Sequence, residues 1–217
     1  MLRNTLTPLR AQLDALDTPA FNLLLTVNPE LRAERDEMRF TVQSLGVAVS
    51  YFEEAIKCIN NEIYFAGAVL GSAMLESMLI ALVLLKKDEI KSSAAFGIKF
   101  SKTPEAVLEF IKRADLGSLL EVAQRLDWFR NDRIPSVFEG AFISRLESDA
   151  KVELRGILTG IPDLGVFASS QARRFRNLIH PGLCLREGID LDSADAKLAC
   201  LYLIFAFSTL IENKLVS

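Results

Sequence analysis

Residues 63–87, IYFAGAVLGSAMLESMLIALVLLKK, are apolar around nearly the whole circumference of a helix, and this segment limits what the chain can fold into. A helix without a polar face has to be surrounded, either by other helices or by lipid. Residues 66–85 have about the length that spans a bilayer. Glu76 lies at their centre, with Ser72 and Ser77 close by, and a carboxylate there is costly in lipid. A second apolar run, residues 198–211, falls short of a span. Both are therefore expected to be buried core helices of a soluble protein. Gly67, Gly71 and Ala73 let neighbouring backbones approach the first of them.

The rest of the chain supports helices around that core. Only 11 glycines and 7 prolines punctuate 217 residues, half of them hydrophobic, and the stretches between are rich in Leu, Ala, Glu, Lys and Arg. The expected class is all-α, a helical bundle. Residues 1–28 read as an N-terminal amphipathic helical arm and residues 29–217 as the main helical domain. Asn28-Pro29 marks the boundary, and a charged helix follows towards Asn61. Asn60-Asn61 should break it before the apolar run from Ile63, giving a helical hairpin. Residues 86–105 read as a surface connection, with Thr103 capping a helix that starts at Pro104 and Glu105. A helix is expected over residues 116–129, LGSLLEVAQRLDWF, and broken helices over 134–161. Another should run from about Asp163 to His180-Pro181-Gly182, and a last one from Ser193, with Asp192 and Asp195 at its positive end.

A net charge of −3 argues against a surface that is wholly a nucleic-acid footprint and leaves room for a local basic patch. Cys58, Cys184 and Cys200 are odd in number, far apart in sequence and without paired metal-ligand spacing, so they read as small apolar residues of a reducing compartment. The first residues lack a signal-peptide core, and a cytoplasmic location is expected. Glycine-rich phosphate loops and zinc-binding helices are absent from the sequence, and no cofactor or metal is expected.

Any histidine chemistry must use His180, the single histidine, which sits in ARRFRNLIHPG. At about 100° per residue, Ser169, Arg173, Arg176, Asn177 and His180 fall on one face of a helix, and Phe175, Leu178 and Ile179 point elsewhere. Such a cationic stripe suits an RNA phosphodiester, because arginine presents a fork that matches phosphate oxygens and a histidine near its ordinary pKa can exchange a proton with a ribose hydroxyl. One histidine cannot readily be both base and acid, and a homodimer would supply a second. The same residues also fit a plain helix C-terminus, with basic side chains on the negative end of the dipole and Pro181-Gly182 as the stop.

RxxRNLIHPG, together with YFAGAVLGSAMLES upstream and the LGSLLEVAQRLDWF helix, resembles prokaryotic members of the HEPN superfamily over residues 45–213. The resemblance implies a helical bundle, frequent dimerisation and, in catalytic members, a metal-independent endoribonuclease of toxin–antitoxin, abortive-infection or other defence systems. It also implies RNA as substrate and an antitoxin or other defence protein as partner. The family motif is an Arg, four to six residues, then a His, commonly with a polar residue such as Asn after the Arg. Arg176-Asn177 has that dipeptide, but only three residues separate Arg176 from His180. Arg174 and Arg173 satisfy the spacing without the following Asn. Helix geometry puts Arg173 on the His180 face and Arg174 about 120° away, which favours Arg173 or Arg176 as the phosphate contact. His180 is then the general base or acid, and Asn177 positions the ribose or the histidine.

The alternative is a non-catalytic helical dimerisation or interaction module in which the motif only caps a helix. Ligand binding inside the bundle rests on family analogy alone. Glu76 either orients the site through Arg173 or Arg176, or meets an ordinary interior donor. Arg125, Arg130 and Arg133 around Trp128 read either as a surface for single-stranded RNA or as a solvated helix end with one core tryptophan.

Overall fold

Proline is at home in the first turn of a helix and keeps the residue before it out of the helical region, so Asn28-Pro29 sets a helix start. In a computed structural model of the protein, helix α1 spans Pro29–Asn60. The Asn28 side-chain oxygen accepts from the backbone N–H of Glu30 at 3.1 Å and of Leu31 at 3.2 Å, satisfying two donors that the first turn leaves open. The structure describes residues 7–8, 10–11, 14, 28–92, 110–111, 113–130, 134–141, 143, 152, 155–156, 158, 164–177 and 193–216.

α1 ends where expected, through a Schellman motif. Glu62 takes a left-handed φ of 61°, its N–H donates to Ile59 O at 3.0 Å, and the N–H of Ile63 donates to Cys58 O at 2.8 Å. The chain reverses into α2, Tyr64–Leu85, completing the helical hairpin. Then follow α3 (Lys87–Ser92), α4 (Leu116–Arg125), α5 (Ser136–Ala141), α6 (Leu164–Asn177) and α7 (Ser193–Ile211), which runs into a π-helical turn, Glu212–Val216. Of the described residues 89% are helical and none is in a strand, so the protein is an all-α helical bundle.

α2 is the centre, packed against α1, α7, α6 and α4. Its Met74, Leu75, Met78, Leu79, Leu82 and Val83 have no exposed surface at all, which explains why the segment has no polar face. Close approach is specific at Gly71, where a Cβ would lie 3.1 Å from the Leu203 Cβ of α7. α7 contributes Phe205, T-shaped on Phe138 of α5 at 5.1 Å, and Phe207, stacked on Phe52 of α1 at 5.3 Å. α2 and the stretch Ala194–Leu215 are both long and apolar enough to cross a membrane, and of an apolar 18-residue segment in each, 61% and 67% is buried within the protein. The second is longer than its apolar run suggests, because the π-helical turn continues the helix.

Two sequence expectations need correction. The helix of residues 116–129 stops at Arg125, because Asp127 adopts a left-handed φ of 53° and a second Schellman motif closes on it, with Trp128 N–H donating to Ala123 O at 2.8 Å. The expected connection after Lys86 begins as a helix, α3, while Thr103 and its cap lie outside the described residues. α5 is one of the broken helices expected over 134–161, most of which lies outside the described residues. Within the N-terminal arm, Arg10 and Asp14 line an open cleft of about 770 Å³ against Val42, Gly46 and Tyr51 of α1.

Trp128 is wholly buried and donates its indole N–H to Glu89 of α3 at 3.0 Å. Lys214 donates to the same carboxylate oxygen at 2.9 Å and sits 5.6 Å over the indole ring. Burial pushes the Glu89 carboxyl up, but the hydrogen bonds from Lys214 and Trp128 and the charge of Lys214 outweigh it, and the net shift is downward. Asn213 donates to the carbonyls of Trp128 at 3.1 Å and Arg130 at 2.8 Å, so the π-helical turn straps the end of α4 to the core.

Candidate functional site

α6 carries the arginine-rich sequence, and its apolar positions decide how it faces. Ala168, Ala172 and Phe175 are fully buried, with Phe175 in a cluster with Ala68, Ala196, Ala199 and Cys200. Burying that stripe turns Arg173 outward. Arg174, between the two faces, is half-buried and donates to Asp195 in the first turn of α7 at 3.1 Å. Arg174 thus serves as a tie between α6 and α7.

Arg173 reaches across to α4. Its guanidinium lies over Gly117, so that a Cβ on residue 117 would collide with Nη2 and stand 3.1 Å from Cζ. Together they form part of an open cleft of about 530 Å³ whose other lining residues include Asp115, Ser118, Gln124, Val166 and Ser170. No hydrogen bond or ion pair to another described residue engages Arg173. The acidic groups of the cleft are differently placed. Asp115 is the N-cap of α4, accepting from the Ser118 N–H and hydroxyl, each at 2.8 Å. Glu121 pairs with Arg125 one turn further along α4. Ser170 donates its hydroxyl back to Phe167 O at 3.2 Å. The positive end of α4 and a guanidinium that pairs with no other described residue thus face one space, which suits a phosphate-like anion.

Of the residues read from sequence as the site, Arg173 is placed in this cleft. Arg176 and Asn177 close the last turn of α6, and their side chains lie outside the described residues, as do all of His180 and the Pro181-Gly182 stop. Glu76 is half-buried in α2 and takes part in a polar or electrostatic interaction, and among the described residues no ion pair joins it to Arg173. Trp128 has no face free to stack on a base, which removes it from any RNA surface; Arg125 and Arg130 are exposed, and Arg133 lies outside the described residues. Among the described residues no cluster of three or more His, Cys, Asp or Glu side chains is arranged to hold a metal ion.

The sequence reading missed the opposite wall, Asp115, Gly117 and Ser118. Its signal was present, as an aspartate immediately before an apolar-periodic helix with a glycine in the first turn. Comparison with protein-family models, curated proteins and solved structures gives no match to the chain.

Proposed function

We propose that this chain is a HEPN-like RNA-processing protein, a metal-independent endoribonuclease whose phosphate contact is Arg173. The supporting observation is the Arg173 guanidinium, exposed, lying over Gly117 in the lining of the cleft and unengaged by other described residues. A guanidinium in that state is ready to donate two parallel hydrogen bonds to a phosphodiester. His180, three residues beyond the last turn of α6, serves as general base or acid, Arg176 adds a second phosphate contact, and Asn177 positions the ribose or the imidazole. A positioned acid–base group contributes about 10²- to 10⁴-fold, and a donor on developing charge about 10²- to 10³-fold, enough for a modest nuclease. A homodimer would bring the second histidine that a complete acid–base pair requires. In this reading the protein works in the cytoplasm, in a toxin or phage-defence system with an antitoxin or other defence protein as partner.

Cleavage of mixed cellular RNA in the presence of EDTA, at matched circular dichroism and oligomeric state, tests the reading. Wild type should cut, and His180→Ala and Arg173→Ala should not. Cleavage retained in His180→Ala sinks it.

One observation favours the alternative, a non-catalytic interaction module. Ile63 and Phe65 are 54% and 48% exposed at the start of α2, and Phe65 leans edge-on against Phe175 of α6 at 6.2 Å. Apolar side chains exposed beside the motif helix suit a helical partner or a second copy. That reading expects no RNA cleavage and a change of oligomeric state in Phe65→Ser.

A further inference from the structure

Residues 58 and 200 are far apart in sequence, yet α1 and α7 bring their side chains to one place. Both border the space left by the missing side chain of Gly67 on α2. A Cβ built there would stand 2.9 Å from the Cys200 sulfur and 3.4 Å from the Cys58 Cβ. Both cysteines are free thiols, Cys58 half-buried and Cys200 buried. A disulfide needs its two Cβ atoms about 3.5–4.5 Å apart and room between them for the sulfurs. The Cys200 sulfur and the Cys58 Cβ thus both lie within 3.4 Å of one point, which a side chain at residue 67 would contest.

We propose that Cys58 and Cys200 form a redox-sensitive pair that a small disulfide, such as oxidised glutathione, converts to an intramolecular disulfide joining α1 to α7. The more accessible Cys58 is the entry point. Its thiolate attacks one sulfur of the small disulfide, forming a mixed disulfide and releasing one thiol. The Cys200 sulfur then loses its proton to solvent and attacks Cys58 Sγ, expelling the second thiol. Two protein thiols are oxidised, one small disulfide is reduced to two thiols, and the two protein protons end on the two released thiols.

The Cys200 thiol hydrogen-bonds to Tyr64 O at 2.9 Å, and burial, with the neighbouring Cys58 adding to it, pushes its pKa up to about 12. The second step is therefore the slow one. Its rate should rise about tenfold per pH unit across the neutral and mildly alkaline range, as thiolate attack does below the thiol pKa. The bond would form in the cluster that seats Phe175, two residues from Arg173, so oxidation would stiffen the seat of the arginine-bearing helix. This proposal stands apart from the RNA reading and survives its failure.

The test uses the full chain carrying Cys184→Ala, incubated with oxidised glutathione, alkylated to trap remaining thiols, and analysed by intact mass and peptide mapping. The expected product is lighter by two hydrogen atoms, with one cross-linked pair of peptides containing residues 58 and 200. It should melt at a higher temperature and revert with dithiothreitol. Cys200→Ala should stall with one glutathione on Cys58, and Gly67→Ala should stall likewise because the new methyl would push the Cys200 sulfur aside. If Gly67→Ala loses its helical circular dichroism, Cys200→Ala decides alone. A glutathione adduct on Cys58 that persists at mildly alkaline pH with Cys200 present, two thiols still open to alkylation, or cross-links only between copies would each overturn the proposal.

Discussion

Gly117→Ala separates a structural role of Arg173 from a binding role. The new methyl would overlap Arg173 Nη2 and stand 3.1 Å from Cζ and 3.3 Å from Nε, so the guanidinium must leave its place over α4. It is the exposed far end of a flexible side chain, and displacing it costs at most an unfavourable rotamer, about 0.5–1.5 kcal/mol. Alanine in place of glycine within a helix returns about 0.5–1 kcal/mol. These nearly cancel, so urea unfolding followed by far-UV circular dichroism should give a stability within about 1 kcal/mol of wild type. A hydrogen bond from a charged group is worth about 1.5–3 kcal/mol, so losing the guanidinium from its position should weaken binding of a single-stranded RNA oligonucleotide about tenfold or more by fluorescence anisotropy. Arg173→Ala should weaken it at least as much. A stability loss above about 2 kcal/mol would mean that the guanidinium is locked into the fold and cannot yield. Unchanged RNA affinity in both variants would remove the phosphate role from Arg173.

The remaining predictions concern the scaffold. Gly71→Ala forces a methyl against Leu203, backed by the core of α7, and should cost about 1–3 kcal/mol in chemical denaturation, unlike the yielding contact at Gly117. Asn28→Ala removes both cap bonds at the start of α1 and should lower stability by about 0.5–2 kcal/mol, with Asn28→Ser restoring most of it. The Glu89 carboxyl is held below its ordinary value of 4.5 in the folded protein, so its contribution is complete above that value and is lost as pH falls through the lowered one. Melting temperature should therefore fall less steeply with acidification in Glu89→Gln than in wild type.

The legible part of this fold is the part where one physical demand dominates. Residues 63–87 could be placed at the centre from sequence because an all-apolar helix interrupted by Glu76 has to be surrounded by other helices, and α2 occupies that centre. Asn28, Pro29 and Asn61 could be read as boundaries because their chemistry is local. The end of α4 was missed for the opposite reason. Leu126 and Phe129 continue the apolar period, and only the left-handed backbone at Asp127 shows that Phe129 is buried, and Leu126 half-buried, by a closing turn. Trp128, open to two readings in sequence, is fixed by Glu89 and Lys214, 39 and 125 residues from the groups they meet.

The candidate site shows the same division. That Arg173 faces outward follows from the period of Ala168, Ala172 and Phe175, which any helix would impose. What distinguishes Arg173 from Arg174 is pairing, and pairing depends on what α7 and α4 bring alongside. Asp195 engages Arg174, whereas Gly117 offers Arg173 a bare backbone, and among the described residues no carboxylate pairs with Arg173. The nearby acids are drawn off by partners on their own helix, Asp115 by the N-cap bonds and Glu121 by Arg125. Two adjacent arginines that a sequence cannot rank by charge are thus ranked by their neighbours: neutralising Arg174 should show in stability, and neutralising Arg173 in binding.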